Sequence, residues 1–138
     1  MIFFLEMDPP TVTAQMHRVM VRNGRPRFYD SKPLKQARAQ FVEALTPHAP
    51  ASPLAGAVGL TVTWYFLTKS HKEGEYRTTK PDTDNLEKLL KDCMTQCGFW
   101  NDDAQVCCEE VQKYWTRTEP GIFIKVEALP SCNGGGER

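Results

Sequence analysis

The alternation of apolar and polar residues predicts most of the strands. Gly121 to Ala128 alternates strongly, and Val58 to Leu67 is a β-branched and aromatic run, so each predicts a strand of a sheet. Residues 2–6 and 104–115 predict two more strands. Residues 16–22 and 27–29 flank Asn23-Gly24, a favoured two-residue turn, and predict an arginine-rich β-hairpin.

Two segments repeat apolar residues at the spacing of an α-helix. Between Ser31 and about Thr46, the stripe consists of Leu34, Ala37, Phe41, Ala44 and Leu45. The second stripe consists of Leu86, Leu89, Leu90, Cys93, Met94 and Cys97, with Gly98 as its predicted C-terminal cap. The order β-ββ-α-β-α-β-β predicts an α+β domain with a mixed or antiparallel sheet and two main helices packed on it.

Length and composition predict one domain. The 138 residues, 41% of them hydrophobic, are enough for one core and too few for two ordinary domains. We expect the domain to span residues 1–129 and the glycine-rich residues 130–138 to form a flexible tail. The early apolar run, Ile2 to Leu5, is shorter than a signal peptide or a membrane span, which predicts a cytoplasmic protein with no membrane partner.

Charge and cysteine content exclude few classes of function. Seventeen basic and seventeen acidic residues balance, so overall composition does not indicate a nucleic-acid-binding protein. The five cysteines are an odd number and predict buried free thiols. A zinc site is the alternative, but no CxxC pair occurs. The polar residues 68–79 predict a mobile loop.

Two acidic pairs are the candidate chemistry. Asp82 and Asp84 follow Lys80-Pro81 at the start of the second helix, and carboxylate oxygens are the ligands that Mg²⁺ prefers. Helix capping by Asp84, with Glu87 three residues later, is the alternative for part of this pattern. The pair Asp102-Asp103 is alternatively a solvated turn. We expect the intervening helix and turn to return Asp103 beside the first pair.

Lys88 adds to this pattern because it lies four residues after Asp84, away from the apolar stripe. It forms either an i,i+4 ion pair with Asp84 or a contact to a scissile phosphate. The three histidines, His17, His48 and His71, are expected to be surface or core residues.

The segment KPDTDNLEK (residues 80–88), then Asp92, then GFWNDDAQV (residues 98–106) closely resembles the RusA family of Holliday-junction resolvases. The match is dense over residues 80–106. It extends more loosely to Pro9-Pro10, to the basic hairpin and helix, and to Lys113. Two spaced motifs are far more specific than one acidic pair.

The resemblance implies a RusA-like fold and a Mg²⁺-dependent (or Mn²⁺-dependent) endonuclease that nicks four-way junctions symmetrically, often borne by a prophage. It places Asp82, Asp84 and Asp103 at the metal-ligand positions and Lys88 at the catalytic lysine, with Asp102 and Asn85 accessory. It also implies a homodimer, which suits a two-fold symmetric junction.

DNA affinity is then expected from phosphate contacts by a basic set. The set consists of Arg18, Arg22, Arg25, Arg27, Lys32, Lys35, Lys69, Lys72, Arg77 and Lys80. Three alternatives remain: a non-catalytic protein that binds branched DNA, a nuclease that prefers flaps or other branched DNA, and a metal-stabilised structural domain whose aspartates only hold a loop.

Overall fold

The strands and helices follow one another in the predicted order. A computed structural model describes residues 1–12, 17–22 and 24–131. The strands are β1 (Ile2–Glu6), β2 (His17–Arg22), β3 (Arg25–Asp30), β4 (Val58–Leu67), β5 (Val106–Thr116) and β6 (Gly121–Ala128), and the main helices are α1 (Lys32–Leu45) and α2 (Thr83–Gln96). Short 3₁₀ turns lie at Thr46–His48 and Asp103–Gln105. The predicted α+β fold class is confirmed.

The main sheet has four strands in the order β1-β6-β4-β5. β6 pairs antiparallel with both β1 and β4, whereas β4 and β5 are parallel. Parallel neighbours need a crossover, and α2 supplies it. Strands β2 and β3 form the predicted hairpin as a separate two-stranded sheet. Gly24 adopts a φ of 75° in its turn, and Asn23 lies outside the described residues.

Both helices pack on one face of this sheet and enclose the core. Alternate sheet residues such as Val62, Trp64 and Ile124 point at them and are fully buried. The buried helix residues are Leu34, Ala37, Phe41 and Leu45 of α1 and Leu86, Leu89, Leu90, Cys93 and Met94 of α2. Burial of apolar surface is the main favourable contribution to the free energy of folding. The apolar stripe of α2 therefore determines which face of that helix packs on the sheet.

Helix α2 runs antiparallel to β5. Near its middle, Lys91 Nζ donates to Glu109 Oε2 at 2.9 Å. At its start, Lys113 Nζ donates to the carbonyl oxygen of Pro81 at 2.8 Å. The N-terminus of α2 therefore lies beside the late part of β5, and its C-terminus lies beside the beginning of that strand.

The cysteines divide into two environments. Cys93 is buried and Cys97 half-buried, and Sγ of each approaches a carbonyl oxygen of α1. Cys107 and Cys108 are exposed on β5, so the expectation of burial is wrong for them. These four thiols are free. Cys132 and the rest of residues 132–138 lie outside the described residues, and the predicted tail stays a prediction.

No helix within the described ranges is long and apolar enough to span a bilayer.

Candidate active site

Asp82 and Asp84 stand together at the N-terminus of α2. Asp82 is the N-cap residue, with φ −71° and ψ 151°, but its side chain makes no capping hydrogen bond. Asp84 lies in the first turn, and both residues are exposed. Neither carboxylate has a hydrogen bond or ion pair to a described residue. A helix N-terminus carries a partial positive charge, so it interacts favourably with negatively charged side chains and ligands.

The alternative in which Asp84 and Glu87 cap the helix is therefore wrong. It required Asp84 to be the N-cap and Glu87 to reach back to it, but the helix begins two residues earlier and Glu87 is buried elsewhere. Because Asp82 caps only through its backbone, its carboxylate remains available to a ligand.

Lys88 is exposed one turn beyond Asp84 on α2. Among the described residues it forms no ion pair with Asp84, so the i,i+4 alternative finds no support. Asn85 is half-buried on the same turn. The ammonium of Lys88 and the two carboxylates are consequently presented to solvent at one end of the helix.

The two residues of the second acidic pair, Asp102 and Asp103, differ in their contacts. Asp102 Oδ1 accepts from the Ala104 N–H at 2.9 Å, and Gln105 Oε1 accepts from the Asn101 and Asp102 N–H groups at 3.0 and 3.1 Å. This capping box makes Asp102 part of an ordered turn. Asp103 is half-buried, and its carboxylate has no hydrogen-bond partner in the described parts of the chain.

One chain does not bring Asp103 beside Asp82 and Asp84. Asp103 begins the 3₁₀ turn that precedes β5, at the C-terminal end of α2, whose 14 residues span about 21 Å. The seven steps along β5 from Val106 to Lys113, which contacts Pro81, cover about 23 Å. Over residues 1–12, 17–22 and 24–131, no group of three His, Cys, Asp or Glu is placed to hold a metal ion. The expected return of Asp103 does not occur within one protomer.

Residues 68–79, predicted as a mobile loop, belong to the β4–α2 connection (residues 68–82), which is hydrogen-bonded to β5. The Gly74 N–H donates to the Trp115 carbonyl at 3.0 Å, and the Trp115 N–H donates to the Glu75 carbonyl at 2.8 Å. The Arg77 N–H donates to the Lys113 carbonyl at 3.0 Å. His71 stacks on Trp115 with ring centroids 4.6 Å apart. The connection therefore reaches Asp82 with many fixed contacts.

The basic residues predicted to contact DNA fall into three groups. The exposed ones are Lys32, Lys35, Lys69, Lys72 and Lys80. Arg77 is half-buried, with its guanidinium over the rings of Phe66 and Trp115. Arg18, Arg22, Arg25 and Arg27 lie on the hairpin, and their side chains are outside the described part of the chain. The five exposed lysines are thus available to phosphates.

Glu87 is a buried carboxyl group directly behind this site. It is 2% exposed, and Trp64 Nε1 donates to its Oε1 at 2.9 Å, while Oε2 has no hydrogen-bond partner in the described structure. Burial raises the pKa of Glu87 to about 8, with a further contribution from the neighbouring Glu109 carboxylate. The Trp64 hydrogen bond and Lys91 act in the opposite direction on that pKa. Near neutral pH, folding keeps Glu87 protonated.

This carboxyl group predicts a decline of stability with pH. Between pH 4.5, its usual pKa, and about 8, the folded chain binds the Glu87 proton more tightly than the unfolded chain, so the free energy of unfolding falls as pH rises. The contribution lost is roughly 3–5 kcal/mol. Glu87→Gln keeps the acceptor for Trp64 and cannot ionise. In urea unfolding at pH 5 and pH 8, the variant is expected to lose much less stability than wild type.

The matched control is Glu43→Gln, an exposed glutamate of α1. It is expected to show the wild-type decline. An equal decline in all three proteins would contradict the buried, protonated state of Glu87.

Two charged residues near the site, Glu87 and Lys113, have contacts that the sequence analysis did not predict. Glu87 directly follows Leu86, the first residue of the apolar stripe of α2. Lys113 lies between Val111 and Trp115 in the alternating pattern on the helix-facing side of β5. Charged residues at core-facing positions are the signal that identifies both, because such groups are rarely buried without a specific partner.

Comparisons with known proteins identify one family and two relatives. A profile of the family described as "Endodeoxyribonuclease RusA" matches residues 9–127. The "Crossover junction endodeoxyribonuclease rusA" of Lactococcus phage r1t is 29% identical over 119 residues, covering 80% of this chain and 86% of that protein. "Uncharacterized protein YqaN" of Bacillus subtilis (strain 168) is 27% identical over 124 residues, covering 81% and 86%.

Proposed function

The chain belongs to the RusA family of endodeoxyribonucleases, and on that basis we propose that it is a metal-dependent endonuclease resolving four-way DNA junctions by paired, symmetric nicks in recombination and repair. The name of the phage relative, a crossover junction endodeoxyribonuclease, supports this substrate. The observation that carries the proposal is the pair of exposed aspartates at the start of α2, whose carboxylates make no hydrogen bond or ion pair with a described residue.

The donor atoms at this position fit Mg²⁺ or Mn²⁺. Both ions take carboxylate oxygens, and an ion that also binds substrate phosphate typically takes only one or two protein carboxylates. A bound divalent ion polarises a phosphate oxygen and increases the acidity of water, which is the chemistry that phosphodiester hydrolysis needs. Asp82 and Asp84 would hold it, and the exposed Lys88 ammonium, one turn away, would balance charge that develops on the phosphate.

The third carboxylate is proposed to come from a second copy of the chain. Asp103 lies a helix length from Asp82 within one protomer, yet its carboxylate is equally free of structural partners among the described residues. A two-fold axis that sets the α2 helices of two protomers antiparallel would bring Asp82 and Asp84 of one protomer to the partner subunit's Asp103. Such a dimer has two equivalent sites, one for each of two opposed strands of the junction.

Binding energy for DNA is assigned to cations around this site. Lys69, Lys72 and Lys80 are exposed on the β4–α2 connection, which leads directly into Asp82, and Lys32 and Lys35 are exposed at the start of α1. Contacts from lysine to phosphate are independent of sequence and weaken with salt. They would therefore supply affinity, while recognition of the junction would depend on the spacing of the two sites in the dimer.

Cleavage of defined substrates tests this proposal. The purified protein is incubated with a synthetic four-way junction, a flap and a linear duplex, in Mg²⁺ or in chelator. We expect paired nicks at symmetric positions in the junction with Mg²⁺, and binding without cleavage in chelator. Junction binding without nicks in Mg²⁺ would instead favour a non-catalytic binding protein, and preferred cutting of the flap would favour another branched-DNA nuclease.

A further inference from the structure

Two cationic side chains hold the backbone immediately before Asp82. We propose that Arg77 and Lys113 are positioning residues that fix residues 79–81 and thereby aim the Asp82 carboxylate at the metal and phosphate. This inference rests on the proposed function and deepens it. It gives Arg77 a different role from the phosphate contact expected of it. It also assigns a role to Lys113, which lies outside the two acidic motifs.

Lys113 bridges two carbonyl groups of this segment. Its Nζ donates to the carbonyl oxygens of Thr79 and Pro81, each at 2.8 Å. An ammonium has three N–H donors, so two of them are committed to the backbone on either side of Lys80. Hydrogen bonds from a charged donor are stronger than neutral ones, which suits Lys113 to holding a turn that carries function.

Arg77 holds the carbonyl between those two. Its Nη2 donates to the Lys80 carbonyl at 2.6 Å, and its Nε donates to Thr79 Oγ1 at 3.2 Å. The guanidinium lies 4.3 Å from the ring centroid of Phe66 and 4.5 Å from that of Trp115. Stacking on aromatic faces fixes a guanidinium plane, so the donors of Arg77 are already oriented toward the segment.

The two cations together occupy every carbonyl group from Thr79 to Pro81, and the next one, of Asp82, accepts from the Leu86 N–H at 3.1 Å. The backbone that delivers Asp82 is therefore held at each peptide unit. Burial, and then the charge of Arg77, lower the pKa of Lys113, while the negative charge of Asp82 acts in the opposite direction. Both cations are half-buried, unlike Lys69 and Lys72 nearby.

Lys113→Met tests the inference because it keeps the stem and removes the donors. Lys125→Met, on β6 of the same sheet and remote from the segment, is the matched control. Partners that orient metal ligands typically change metal affinity or activity by about 10- to 100-fold when removed. We expect a loss of this size in Mn²⁺ affinity, measured on the full-length protein with and without junction, and in junction cleavage. Lys113→Arg is expected to recover part of both.

Junction binding in chelator separates positioning from a phosphate contact. For Lys113→Met we expect wild-type affinity and wild-type salt dependence there. Reduced affinity with a shallower salt dependence would mean that Lys113 contacts phosphate, and would overturn the inference. Wild-type Mn²⁺ affinity and cleavage in the variant would overturn it as well.

Arg77→Lys is the second variant. It tests the inference if Lys113→Met has a lowered melting temperature. It keeps the charge but cannot serve Thr79 and Lys80 with a planar fork, so the same losses are expected at an unchanged melting temperature. A wild-type protein that cleaves no junction would contradict the proposed function and this inference together. A wild-type protein that cleaves, with both variants equal to it, would contradict this inference alone.

Discussion

Asp82→Asn is expected to reduce junction cleavage in Mg²⁺ by at least about 10²- to 10³-fold. The substitution removes a ligand charge while keeping the shape of the side chain. Folding should be almost unaffected, because the Asp82 carboxylate is exposed and makes no capping hydrogen bond, and asparagine is itself a favoured N-cap residue. The measurements are the single-turnover cleavage rate, junction affinity in chelator, and the melting temperature.

Asp8→Asn is the matched control, since it makes the same charge change at an exposed aspartate that follows β1. It is expected to cleave at the wild-type rate. Junction affinity in chelator should be close to wild type for both variants. If Asp82→Asn cleaved normally, the metal-ligand role would be lost, and if it unfolded, Asp82 would be a structural residue.

Much of the fold follows from the sequence because it depends on local periodicity. The predicted strands at Val58–Leu67 and Gly121–Ala128 have the observed bounds, and the stripe from Leu86 to Met94 is buried as expected. The start of β5 is two residues later than predicted, because the capping box at Asp102 forms a 3₁₀ turn first. The resemblance carried by residues 80–106 is confirmed by the family match over residues 9–127.

The arrangement around the site is much less predictable because it depends on contacts between distant segments. No local pattern shows that Glu87 accepts from Trp64, 23 residues earlier, or that Lys113 reaches back to Thr79. The position of Asp103 depends on the direction of α2 along β5. Helical periodicity identifies which face of α2 is buried. It does not predict which carboxylates lie at the same end of that helix.

Asp103→Asn is expected to abolish cleavage as fully as Asp82→Asn, although the two residues lie at opposite ends of α2. Asp103 is half-buried with no hydrogen-bond partner for its carboxylate in the described structure, so the amide should cost little stability. Junction binding in chelator should again be retained. A structural role for Asp103 would instead lower the melting temperature and leave the cleavage rate of the folded fraction unchanged.

Mixing the two inactive proteins tests whether the site is shared between subunits. After subunit exchange, a heterodimer of the Asp82→Asn and Asp103→Asn chains carries one site with both substitutions and one with neither. We predict that the mixture recovers nicking of one junction strand, and that a mixture of Asp82→Asn with Asp84→Asn, both altered at the same end of α2, stays inactive. If tagged heterodimers of the first pair form and bind junction but nick no strand, the shared metal site is contradicted.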